Sequence, residues 1–368
     1  MTFEELFAVK QDLKVLPDAP GGFVIYGAGS AGQDICKILE NRKLNVKYFI
    51  DKDAQRINTI SGRKVITPEA AVGMDKNGMC AIVGMFNGFI NSAEFIEKLN
   101  AMGFKNILSF YELYRIMPEE FGDRYFMAPD EFFIKNSGVI IETEKMWGDR
   151  KSRELYFQVI AFRYTKEMKY SPEPAKKGFN YFPEDIPGWS FPRTFIDCGA
   201  FTGDTLLDIK KYSGGVKSAM AFEPDEDNFR KMSENVAAAD IAPLVVLFPC
   251  GVFSSTRQLR FSANLGGGSF INNTGEKFIQ TVSLDEALPA YKPEMIKMDI
   301  EGAEPEALKG AEKMIKKHKP ALAISVYHAP GHMWEIAKII SGWDLGYKFY
   351  LRAYGYHSFD VVLHAVRI

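Results

Sequence analysis

The sequence predicts an α/β protein made of two units, a small N-terminal one and a larger C-terminal one. Three observations carry this. Two strand–glycine turn–helix corners stand far apart in the chain, at Gly27 to Gly32 and at Gly199 to Gly203. Each is followed by a second β-rich run that ends in an acid, Asp51 in one case and Glu223 in the other. The last two β-rich runs, Tyr347–Leu351 and Val361–Val366, are separated by a turn too short for a helical crossover, so they should pair antiparallel. The chain has 368 residues, enough for about two domains. The expected boundaries are 1–110 for a Rossmann-like unit, 111–190 for a helical connector with an extended segment, and 191–368 for the main domain.

Composition narrows the function classes. With 46% hydrophobic and 25% charged residues this is the mix of an ordinary soluble globular protein. The formal net charge is −2 with both signs interspersed, so no basic field points to nucleic acid. The longest basic run, Lys316-Lys317-His318-Lys319, falls where a helix should end and complements its dipole. Cys36, Cys80, Cys198 and Cys250 lack paired spacing and read as free thiols of a reducing compartment. The acidic start, Met1-Thr2-Phe3-Glu4-Glu5, has no signal-peptide pattern, and no apolar run reaches membrane-spanning length. A cytoplasmic protein with no membrane or nucleic-acid partner is expected; a homo-oligomer is left open.

In the N-terminal unit Phe23–Tyr26 reads as a strand feeding Gly27-Ala28-Gly29-Ser30-Ala31-Gly32. Ile35, Ile38 and Leu39 then share a helix face, and Val46–Ile50 is the next strand, with Asp51 at its end. That is the context of a dinucleotide fingerprint, with an acid about 20 residues on. Gly27, Gly29, Gly32 and Asp51 therefore form a candidate second nucleotide pocket. The same glycines also suit a tight turn kept only for helix–strand packing. Strands at Cys80–Gly84 and Ile107–Phe110 flank a helix at Ala93–Met102. Beyond this, Leu155, Val159 and Phe162 recur at helical spacing, and the proline-rich stretch from Ser171 to Pro192 can be neither continuous helix nor central strand and reads as an extended segment.

In the C-terminal unit the strand Thr194–Ile196 enters Asp197-Cys198-Gly199-Ala200-Phe201-Thr202-Gly203-Asp204-Thr205. Glycines without a Cβ let a ligand lie against the backbone, and the new helix offers free N–H groups. Asp197 suits a cationic ligand, which favours S-adenosylmethionine over a pyrophosphate. Strands at Ser218–Phe222, Leu244–Phe248, Met295–Asp299 and Ala321–His328 follow. Leu308, Ala311 and Ile315 give one helix its buried face after Pro305. Gly266-Gly267-Gly268 reads as a loop.

Taken in order, D-C-G-A-F-T-G-D-T, F-E-P, V-S-L-D-E-A-L and I-K-M-D-I-E-G-A-E-P-E-A-L-K-G-A resemble the FkbM family of S-adenosylmethionine-dependent methyltransferases over residues 190–368. The resemblance implies the class I methyltransferase fold, seven-stranded with the last strand antiparallel, and O-methylation of a sugar, glycan or natural-product hydroxyl. It implies a cofactor site of Asp197, Gly199, Ala200, Phe201, Gly203, Asp204, Thr205, Glu223, Pro224 and Gly251. Asp197 and the glycines would hold the methionine part, and Glu223 the ribose. No acid follows the third strand, which leaves adenine to backbone, Val252 or Phe253.

For the chemistry, methyl transfer to a hydroxyl needs alignment and a base. Asp299, at the end of a central strand, is the first candidate and His328 the second. Glu301 and Glu304 are candidate acceptor contacts or simply helix N-terminal acids. Pro330 and Gly331 between His328 and His332 argue against a zinc pair. Mg²⁺ on Asp299 and Glu301 is considered and not favoured, so no metal site is assigned. The alternatives are an NAD-dependent oxidoreductase or a nucleotide-sugar-binding module working through the N-terminal glycine turn.

Overall fold

The computed structural model describes residues 1–8, 15–175, 181–262, 270–271 and 277–368. The glycine run at 266–268 lies outside them. The described chain divides into two compact units, and the stretch 111–190 contributes to both. Among the described residues no helix is long and apolar enough to cross a membrane.

The first unit holds residues 1–137, 157–173 and 355–359. Its sheet contains β1 (Gly22–Tyr26), β2 (Val46–Ile50), β3 (Thr59–Ile60), β4 (Arg63–Ile66), β5 (Met79–Val83) and β6 (Asn106–Ser109), in the order β3-β4-β2-β1-β5-β6. All pairs are parallel except β3 with β4. The sequence reading missed β3 and β4, because strands of two and four residues on a tight turn are too short to show a period. β1 is buried along its length, as expected of a central parallel strand covered on both faces. The helix Ser30–Asn41 buries Ile35, Cys36, Ile38 and Leu39. Phe110, placed in the last strand by the sequence, instead starts a helix. Ser109 and Glu112 form a capping box there, which stops the strand one residue earlier.

The second unit holds residues 138–156, 174–354 and 360–368. Its strands are β7 (Thr194–Cys198), β8 (Ser218–Phe222), β9 (Leu244–Phe248), β10 (Gly251–Val252), β11 (Arg257–Ser262), β12 (Phe270–Ile271), β13 (Lys277–Val282), β14 (Met295–Met298), β15 (Ala321–Ser325), β16 (Lys348–Ala353) and β17 (Val361–Val366). Seven of them form one sheet in the order β16-β17-β15-β14-β7-β8-β9. β17 lies between β16 and β15 and is antiparallel to both. The class I methyltransferase arrangement expected from the sequence, last strand included, is the one observed. A second, four-stranded sheet runs β10-β13-β11-β12.

The strand order reverses between β14 and β7, and their C-terminal ends open the crevice where ligands bind in such sheets. β7 and β14 pair in parallel with Lys297 opposite Asp197 and Met298 opposite Cys198. Both strands are almost wholly buried. One helix through Leu308, Ala311 and Ile315 was expected, but two short helices are found, Glu304–Gly310 and Glu312–His318. Ala311 leaves helical geometry between them, at φ −114° and ψ 3°. Just before it only glycine fits, because a Cβ on Gly310 would sit 2.1 Å from the Phe253 carbonyl oxygen. β15 ends at Ser325, which leaves His328 on the loop beyond it.

Candidate functional site

The glycine loop after β7 is fixed from two sides. The Gly199 and Ala200 N–H groups donate to the Phe222 carbonyl, each at 3.0 Å. The Phe201 N–H donates to Glu223 Oε2 at 2.8 Å, and the Asp225 N–H to Oε1 at 2.9 Å. Glu223 thus clasps the loop to the end of β8, and each carboxylate oxygen keeps a lone pair for a further donor. Burial holds its carboxyl at about 7, against the two backbone donors that pull it down. Pro224 and Gly251 lie side by side, with a Cβ built on Gly251 falling 3.9 Å from the Pro224 Cβ.

The glycines do different things. A Cβ on Gly199 would lie 1.9 Å from the Asp299 carbonyl oxygen. The side of Gly199 on which a Cβ would stand is therefore filled by the neighbouring strand end, and packing there requires glycine. Gly203 has φ +83° and starts the helix Asp204–Ser213, on which Asp204 is exposed and Thr205 buried. Phe201 is held at φ +47°, an uncommon conformation for an aromatic residue, with its ring more than a third exposed.

Asp197 is completely buried, and its nearest cation is not a ligand but Lys297, whose Nζ lies 3.0 Å from Oδ1. The parallel register sets the two side by side. Lys297 Nζ also donates to the Gly199 carbonyl at 2.5 Å and sits 5.1 Å from the centre of the Tyr181 ring. Burial alone would lower the lysine, but Asp197, Asp299 and Asp204 together hold it above its ordinary range. Burial keeps the Asp197 carboxyl up at about 6 despite Lys297. Sequence reasoning missed Lys297. The available signal was a single lysine inside an otherwise apolar strand, Met-Ile-Lys-Met.

Asp299 follows β14. Its Oδ2 accepts from the Tyr181 hydroxyl at 2.7 Å, and its Oδ1 is 3.3 Å from His328 Nε2. Glu301 Oε2 is 3.7 Å from the same nitrogen. Burial raises Glu301 to about 8, with His328 opposing and Asp299 and Glu304 adding to the rise. Glu301 at φ +54° and Gly302 at φ +102° turn the chain into the helix that starts with Glu304. Glu304, expected beside an acceptor, is completely buried instead. Its Oε1 accepts from the Ile300 N–H at 2.9 Å and meets His328 Nδ1 at 2.7 Å, while Oε2 is 3.4 Å from His332 Nδ1. Against the cost of burial, the two histidines hold it down at about 2. Asp360, just before β17, adds a further carboxyl raised to about 6 by burial and by Asp299, and it bonds Tyr327. Tyr181, Tyr327 and Asp360 also escaped the sequence reading, since they come from three separate segments. Asp299, Glu304 and His328 offer ligand atoms within 4.8 Å of one another. The direct Nδ1–Oε1 pairing puts a proton between two of those atoms.

The N-terminal unit repeats the clasp. The Ala28 N–H donates to Asp51 Oδ2 at 2.8 Å and the Asp53 N–H to Oδ1 at 2.9 Å. Gly32 is a packing glycine, since a Cβ there would fall 2.0 Å from the Gly27 carbonyl oxygen. Gly27 has φ +108°, whereas nothing lies within 4 Å of a Cβ built on Gly29.

With this geometry in place, residues 197–357 match the family described as the methyltransferase FkbM domain. That match takes in less than half of the chain. Its sequence is 30% identical over 131 residues to hexuronic acid methyltransferase AglP of Haloferax volcanii, a match that covers 34% of this chain and 53% of the relative. The chain thus spans about half the length of that curated relative. A solved structure, methyltransferase FkbM from Methylobacillus flagellatus KT, superposes with a TM-score of 0.75 at 22% identity, over 94% of this chain and 89% of the other. That likeness extends the shared fold beyond residues 197–357 into the N-terminal part of the chain.

Proposed function

We propose that this protein is an S-adenosylmethionine-dependent methyltransferase acting on a hydroxyl oxygen of a sugar, glycan or natural-product acceptor. The observation that carries the reading is the meeting of the Glu223-clasped glycine loop with Asp299 at the reversal point of the seven-stranded sheet. The pocket's chemistry suits the cofactor. Asp197 Oδ2 is buried with no hydrogen-bond partner among the described residues, and Glu223 retains acceptor capacity for a ribose diol. Bound S-adenosylmethionine supplies a methyl group on a sulfonium. In this reading Asp197 and the loop from Gly199 to Thr205 hold its methionine part, Glu223 the ribose, and Pro224 with Gly251 the side of the nucleoside. Asp299 accepts the proton of the acceptor hydroxyl while Tyr181 steadies its other oxygen. A sugar acceptor is in keeping with the relative's name. A cytoplasmic location belongs to the same proposal, and magnesium does not.

Calorimetric titration with S-adenosylhomocysteine tests the site. Binding is expected, with loss on Glu223→Ala and retention on Asp299→Asn. Asp299→Asn should lower turnover about 10²–10⁴-fold, the contribution of a general base. Full affinity in Glu223→Ala would remove the site assignment.

The N-terminal clasp supports a second reading, a nucleotide or nucleotide-sugar site at Gly27, Gly29, Gly32 and Asp51. Open space beside Gly29 favours it. Titration with NAD⁺ and with nucleotide sugars tests it, and heats lost on Gly29→Val are the expected sign.

A further inference from the structure

His328 has a carboxylate on each side of its ring. On one side Glu304 Oε1, already accepting from the Ile300 N–H, lies 2.7 Å from Nδ1. Glu304 is completely buried and its Oε1 is already placed as the acceptor of the Ile300 N–H, so in this pair it accepts and Nδ1 donates. On the other side Nε2 faces Asp299 Oδ1 at 3.3 Å and Glu301 Oε2 at 3.7 Å. A neutral imidazole that donates through Nδ1 presents a lone pair at Nε2. That lone pair would be aimed at acceptor oxygens. An ionised Asp299, with Oδ2 taking the Tyr181 proton, can only accept at Oδ1, and Glu301 at 3.7 Å is beyond hydrogen-bond reach. The contacts become attractive only when both ring nitrogens carry protons.

We propose that His328 is a permanent imidazolium, a positioning residue that sets the Asp299 and Glu301 carboxyl groups at the acceptor end of the crevice, with buried Glu304 as its counter-ion. The base assigned to the transfer is then Asp299 alone. The charged groups around the ring bear this out from every side. Asp299 and Glu301 come from the turn after β14, Glu304 from the following helix and Asp360 from the approach to β17. The Tyr327 ring packs on the imidazole with centroids 4.1 Å apart. His332 reaches the cluster through the second oxygen of Glu304. Together the carboxylates outweigh the burial of the ring and hold its titration at about 10. The inference rests on the methyltransferase reading only for what the carboxyl groups do, not for the charge on the ring.

The test is ¹⁵N NMR of the full-length protein labelled at histidine. The chain has five histidines, and the His328 resonances are those lost in His328→Gln. At pH 8, where an ordinary imidazole is neutral, both His328 nitrogens should report protonation. Glu304→Gln should lower the titration midpoint by two pH units or more, and Glu301→Gln should lower it by less. Addition of magnesium chloride should leave the resonances in place. A wild-type midpoint between pH 6 and 7, or a midpoint unmoved by Glu304→Gln, overturns the proposal. If Glu304→Gln does not fold, the wild-type titration and Glu301→Gln decide the matter. A charged His328 in a protein that fails to bind S-adenosylhomocysteine removes the methyltransferase reading and leaves the imidazolium. Binding of S-adenosylhomocysteine with a neutral His328 does the reverse.

Discussion

Replacing Lys297 by methionine strands a charge at the centre of the sheet. Lys297 and Asp197 are 2% and 0% exposed and face each other in the register of β14 and β7. Lys297→Met keeps the length and packing of the stem and removes only the ammonium. Breaking a buried pair by taking one partner away costs about 3–5 kcal/mol, because the remaining charge has neither water nor counter-ion. For a unit of this size about 2–4 °C of melting temperature goes with each kcal/mol, so the expected drop is about 6–20 °C. The pH dependence identifies the cause. The Asp197 carboxyl titrates at about 6 in the folded protein, above its ordinary 3.8. Without Lys297 it moves higher still, so folding binds a proton and the variant loses stability relative to wild type as pH rises through 6 and beyond. Below that window Asp197 is neutral in both proteins and the deficit shrinks. Circular-dichroism melts at pH 5 and pH 8 measure this, and Asp197→Asn with Lys297→Met should restore more than half of the loss. Equal melting temperatures at pH 8, or the same deficit at both pH values, would refute the reasoning.

Three further outcomes are expected. Gly32→Ala should cost at least about 1–3 kcal/mol by overpacking against the Gly27 carbonyl, whereas Gly29→Ala should cost under about 1 kcal/mol, as measured by urea unfolding. Tyr181→Phe removes a hydroxyl bonded to a carboxylate and should cost about 1.5–3 kcal/mol in the same assay; no change would mean that Asp299 is held by other groups. Because Glu223 titrates at about 7, binding of a ribose diol to its charged form should release part of a proton at pH 7. Less should be released above pH 8. Calorimetry in buffers of different ionisation enthalpy reads the proton directly, and proton uptake would contradict the assignment.

Much of this protein was legible in the chain itself. The two glycine corners, the acids that end β2 and β8 and the buried runs of β7, β14 and β15 all depend on local pattern. The antiparallel closing pair follows from a short turn, because such a turn leaves no room for a crossover. These are properties of adjacent residues, whereas the seven-stranded arrangement was expected only from the family resemblance. Tertiary structure decided what the residues do. Gly199 looks like room for a ligand, and the fold adds a second demand, since the Asp299 carbonyl fills the side where a Cβ would stand. Asp197 looks like a partner for a cation until the register sets Lys297 beside it. Glu304 looks like a surface acid at a helix start, yet it turns inward because the left-handed pair Glu301–Gly302 redirects the chain. His328, Asp360 and Tyr181 meet Asp299 across separations of 29, 61 and 118 residues. No local period encodes such a meeting. Only the folded sheet, by bringing its strand ends to one edge, sets four carboxyl groups around one imidazole and thereby fixes the charge that ring must carry.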